Sequence, residues 1–142
     1  MRAKEYLLGL RLLDLKIKQK QKEADEIRAA SISISANDYS KDKIQTGGNG
    51  AGFVRMVEKL EDLETEIKQD LCQFIEKKHQ IINEIESLDN HLYVELLYKR
   101  YVEYESLWDI SSQMNFSYEY IKHLHGYALQ DFAYRFLKHD TK

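Results

Sequence analysis

Leu107-Trp-Asp-Ile-Ser-Ser-Gln-Met-Asn115-Phe-Ser-Tyr-Glu-Tyr-Ile-Lys-His-Leu-His-Gly126 decides how this chain is read. Counted from Leu107, a helix-turn-helix requires apolar residues at its fourth, eighth, tenth, fifteenth and eighteenth places. Ile110, Met114, Phe116, Ile121 and Leu124 occupy them. The fifth place, where the two helices cross, needs a small side chain, and Ser111 stands there. The ninth needs a left-handed backbone, which glycine adopts without a Cβ penalty and asparagine tolerates best among the rest. Asn115 holds that place. Ser106, with Asp109 three residues on, and Ser117 are suited to cap the two helices. Together these features predict a bihelical unit over residues 107–126.

Outward from this window the pattern stays helical. The chain has 142 residues, 32% of them charged, and no proline. Apolar residues recur every third or fourth position, so the predicted class is all-α. One series runs through Tyr6, Leu10, Leu13, Ile17, Ala24, Ile27 and Ile34, interrupted by Lys20 and Ser31. A second runs through Val57, Leu60, Ile67, Leu71, Phe74, Ile81, Ile85 and Leu88, interrupted by Glu64 and Lys78. Two such helices bury each other as an antiparallel coiled-coil hairpin over residues 1–88, and a second subunit completes an interrupted seam. The expected partner is therefore a second copy.

Between the series lies a stretch ending in Gly47-Gly48-Asn49-Gly50-Ala51-Gly52. No Lys-Ser/Thr pair follows its last glycine and no apolar strand precedes it, so the pattern of a phosphate-binding loop is not met. Residues 37–52 read as a mobile tip. Beyond residue 89, an opening helix from His91 to Glu103 offers Leu92, Leu96, Leu97 and Tyr101. With Ile110, Phe116, Ile121, Leu124, Ala128 and Phe132 these form the expected three-helix core of residues 89–142. Trp108 is expected to pack against the opening helix.

Metal and catalytic readings find little support. His123 and His125 are two residues apart, about 200° around a helix, so they cannot share an ion. His91 and Glu95 have usable spacing but no third ligand. No nucleophile–base arrangement is present, so neither an enzyme nor a cofactor is expected. The single cysteine, Cys72, rules out a disulfide framework within the chain. No apolar run is long enough to span a bilayer, and Leu7 to Leu10 is too short for a signal-peptide core. The expectation is a cytoplasmic protein with no membrane partner.

The run Glu95-Leu-Leu-Tyr-Lys-Arg-Tyr-Val-Glu103, followed by Ser106-Leu-Trp-Asp-Ile110, resembles the entry to region 4 of sigma-70 factors, which bind the −35 promoter element. The run from Asn115 to Leu129 is similar to the recognition helix of small phage proteins with a sigma-region-4-like end, near the RinA and ArpU transcriptional regulators of Gram-positive phages. Lys4-Glu5-Tyr6-Leu7 and the glycine-rich break match their general plan. The resemblance implies phage transcription control by binding double-stranded DNA. With the core assigned to Ile121, Leu124 and Ala128, the opposite face carries Ser117, Tyr118, Glu119, Lys122, His123 and Gly126. In this geometry the start of the second helix reaches base edges in the major groove.

Charge runs against that picture. From Asp89 onward there are six Lys and Arg against eight Asp and Glu, whereas the first thirty residues hold eight against five. DNA-binding modules usually carry a basic footprint. An adaptor that engages RNA polymerase or sigma factor without reading DNA is therefore a second reading, and a structural coiled-coil protein a third.

Overall fold

The computed structural model describes residues 1–40 and 46–137, with side chains given outside 35–49. Among the described residues all regular structure is helical. The order is α1 (Ala3–Ser40), α2 (Thr46–Glu86), α3 (His91–Leu97), a π-helical turn (Tyr98–Val102), α4 (Leu107–Met114) and α5 (Tyr118–Phe136). No helix among these residues is long and apolar enough to cross a membrane. The chain divides into two compact units, one of Met1–Asp14 with the chain from Phe74 onward, the other of Leu15–Gln73.

In the first unit, the start of α1 and the end of α2 supply half of a continuous core. Ala3, Leu7, Leu10, Ile81, Ile85 and Leu88 are buried together with Leu97, Tyr101, Val102, Ala128, Phe132 and Leu137. Each large apolar side chain enclosed in this way contributes roughly 1.5–3 kcal/mol. The expected boundary between residues 88 and 89 thus lies inside one unit, because Leu97, Tyr101, Ala128 and Phe132 pack with α1 and α2. A smaller cluster of Leu96, Ile110, Ile121 and Leu124 forms the centre of the bihelical unit. The Tyr6 hydroxyl donates to Glu84 at 2.6 Å, joining α1 to α2 beside the larger core. Burial, reinforced by that carboxylate, pushes the Tyr6 phenol well above the ordinary tyrosine range.

α3 begins at Asn90, whose side chain accepts the Leu92 N–H at 2.9 Å. The sequence predicts one helix through Glu103, but α-helical bonding stops at Leu97. The Glu103 N–H reaches five residues back to the Tyr98 carbonyl at 3.1 Å. Tyr101 and Val102 in that wider turn are both buried in the core. Tyr104 then takes a left-handed φ of 63° and ends the segment.

In the second unit α1 and α2 run antiparallel, as the pairs Lys20–Asp70, Arg28–Glu64 and Lys59–Glu23 require. The buried residues of α2 here are Leu63 and Asp70. The sequence series placed Glu64 and Leu71 on the seam, one position away. The reason is electrostatic as well as apolar: Lys20, the polar interruption in α1, meets Asp70 at 2.7 Å. Glu64 sits at the rim and accepts from Arg28 at 2.8 Å.

The predicted tip at 37–52 is corrected in part. Residues 37–40 belong to α1 and 46–52 to α2, while 41–45 lie outside the described residues. Glycine weakens a helix by about 1 kcal/mol against alanine but does not forbid it, and no described glycine has a positive φ.

Candidate nucleic-acid interface

The bihelical unit is built by its caps and its turn. Ser106 is extended and its hydroxyl accepts the Asp109 N–H at 3.1 Å, opening α4. Asn115 adopts the left-handed conformation (φ 59°, ψ 40°), and the next residue, Phe116, donates its N–H back to the Ser111 carbonyl at 3.0 Å. Helix-end carbonyls are satisfied in this way when the chain reverses through a left-handed residue. Ser117 is extended in turn, and its hydroxyl accepts the Tyr120 N–H at 3.1 Å, opening α5. Ser111 is buried where the helices cross, its hydroxyl donating to the Trp108 carbonyl at 2.6 Å. Ile110 and Ile121 are completely enclosed and Leu124 nearly so.

With Ile121, Leu124 and Ala128 inward, the residues singled out from the sequence fall as follows. Glu119, Lys122, His123 and Gly126 are exposed on α5, and Tyr118 is half-buried. Ser117 is exposed but its oxygen is engaged as the cap. Lys122 Nζ lies 4.0 Å from the Glu119 carboxylate and 5.3 Å from the centre of the Tyr118 ring. Glu119 therefore associates with Lys122 at i+3. Surface pairs of this kind stabilise by at most about 1 kcal/mol. Outside its own turn of helix no described atom lies within 4 Å of where a Cβ on Gly126 would stand, so nothing among the described residues demands glycine there.

Two expectations fail at this surface. Trp108 does not pack on the opening helix; it is 65% exposed and its ring lies against Tyr118 with centroids 5.3 Å apart. Phe116 is also at the surface, 37% exposed, with its ring 4.7 Å from Tyr120. The left-handed turn ends α4 just before Phe116, and the chain carries its side chain past the enclosed cluster. Met114 keeps a partly buried place against that cluster. The sequence reading missed Tyr120 and Tyr127 as surface groups. Their signal was a spacing of seven along the edge of the buried Ile121–Leu124–Ala128 stripe.

His125 stands apart from His123. It is half-buried, shares a hydrogen bond of 2.7 Å with the Tyr101 hydroxyl, and its ring stacks on that of Tyr101. Burial, and then the positive charges of Arg100 and Lys4, push its pKa down to about 4. Burial likewise raises the Tyr101 phenol to about 12. This pair is an uncharged packing element at neutral pH. Among the described residues no group of three or more His, Cys, Asp or Glu is arranged to hold a metal ion.

Comparison with known protein families, with curated proteins and with solved structures finds no match to this chain. Any functional reading therefore rests on the geometry and chemistry of the site itself.

Proposed function

We propose that this chain is a DNA-binding transcriptional regulator of the phage type, in which α4 and α5 act as a sigma-region-4-like helix-turn-helix. One observation carries the reading: two capped helices meet at the left-handed Asn115 over an enclosed Ile110–Ile121–Leu124 cluster, with Glu119, Lys122, His123 and Gly126 exposed on the opposite face. An α-helix about 10–12 Å across fits a major groove about 12 Å wide. Lys122 is suited to a guanine edge or a phosphate, and Glu119 to a cytosine amino group. A homodimer held through the α1–α2 hairpin presents two such helices to two half-sites.

The test is a gel shift of the full chain on DNA from upstream of its own coding region, at two salt concentrations. Retarded DNA at low salt that persists against unrelated competitor supports the reading. A second reading is favoured by charge, since Lys122 already lies beside Glu119 and the segment from Asp89 is acidic. In it the same face engages RNA polymerase or sigma factor without reading DNA. Absence of any shift, with retention of purified RNA polymerase on the immobilised chain, selects that alternative.

A further inference from the structure

Some tyrosine hydroxyls of the first unit are engaged within the chain and others are not. The hydroxyls of Tyr6, Tyr101 and Tyr104 are engaged with Glu84, His125 and Asp14. Those of Tyr118, Tyr120 and Tyr127, like the indole N–H of Trp108, make no hydrogen bond within the described residues, and Trp108, Tyr120 and Tyr127 are exposed. Their placement on α5 is ordered. At about 100° per residue, Glu119, Lys122 and Gly126 fall within about 60° of one another, opposite the core. Tyr120 and Tyr127, seven residues apart and so within about 20°, lie to one side of that face; Tyr118, with the Trp108 ring tilted against it, lies to the other.

We propose that these four groups hold the two phosphate backbones of double-stranded DNA, so that binding depends chiefly on neutral donors and only weakly on salt. The inference rests on the DNA-binding reading above. A helix seated in the major groove turns its outer face to the base edges and its two flanks to the two phosphate strands. Those flanks are where the free donors stand. Tyrosine hydroxyls are ordinary phosphate partners. Contact of Trp108 with Tyr118 and of Phe116 with Tyr120 restricts the rings before binding, which lowers the entropy lost on contact. The arrangement also accounts for an acidic segment in a DNA-binding role, since Lys122 is the only cation on this face among the described residues.

A pool of random duplexes of about 20 base pairs is enriched by selection on the full chain, and binding of the selected duplex is followed by fluorescence anisotropy from about 50 to 200 mM salt. The expected slope of log affinity against log salt is close to −1 per bound unit, the value for one neutralised phosphate. Tyr120→Phe and Tyr127→Phe keep the rings and remove the hydroxyls. Each is expected to weaken binding about three- to tenfold at every salt concentration without changing the slope, whereas Lys122→Gln flattens it. A slope steeper than about −3, or phenylalanine variants that bind like the wild type, overturns the inference and leaves the DNA reading standing. Failure of the folded chain to bind any duplex overturns both. A Tyr127→Phe variant that alters self-association in sedimentation without DNA assigns the row to a contact between copies, and that too overturns it.

Discussion

Ile121 is fully enclosed with Leu96, Ile110 and Leu124, so its replacement by a carboxylate leaves a charge without a partner. Ile121→Asp is expected to cost about 3–5 kcal/mol, seen as a lower melting temperature by circular dichroism. An unchanged melting curve would mean that the register of residues 107–126 is wrong. His125 gives a pH signature. Its pKa falls from 6.5 to about 4 on folding, so between those values the unfolded chain binds the extra proton and stability rises with pH. Its contribution is complete above pH 6.5 and is lost as pH falls toward 4. With the ring only half-buried the loss is on the order of 1–2 kcal/mol. Melts between pH 7.5 and 4.5 should show a shallower pH dependence in His125→Gln; equal dependence would assign the loss to other groups. Asn115 and the two serine caps were legible at this scale because backbone chemistry is local. Trp108 and Phe116 were not, because apolar residues are permitted at surfaces and only the fold decides which remain there.

Among the elements, the start of α2 is the least secure by composition and offers the most room for improvement. Gly50 and Gly52 stand in α2 with no described atom within 4 Å of an added Cβ. Gly50→Ala and Gly52→Ala are each expected to stabilise the helix by about 0.5–1 kcal/mol, through helix propensity and a less free unfolded chain. Denaturant titration of the double variant checks this, and a lower midpoint would show that the helix does not continue there. Periodicity located α1 and α2 correctly but misplaced the α2 seam between residues 63 and 71. Leu60, Leu63, Ile67 and Leu71 make an apolar stripe wider than one helix can cover. Apolar spacing cannot distinguish its two edges; the Lys20–Asp70 contact does. The π-helical turn was equally hidden, since the apolar pattern of residues 91–103 is the same for an α-helix.

Across the whole molecule, the core that holds α5 is supplied largely from far along the chain. Ala128 and Phe132 are enclosed by the same cluster as Leu7, Leu10, Ile81 and Ile85. A fragment of residues 89–142 is therefore expected to lack a cooperative thermal transition, whereas the full chain melts cooperatively. A fragment with native helicity and a sharp transition would show that the bihelical unit is autonomous. Sequence by itself determined the all-α class, the presence of two long helices and the turn at Asn115, because helical period, capping and left-handed propensity act over a few residues. Tertiary structure alone decided that residues 1–14 and 74–88 share a core with α3 and α5, and that Trp108, Phe116, Tyr120 and Tyr127 stay at the surface. Those outcomes depend on which apolar faces find one another across more than seventy residues, and burial is a property of the partner as much as of the residue.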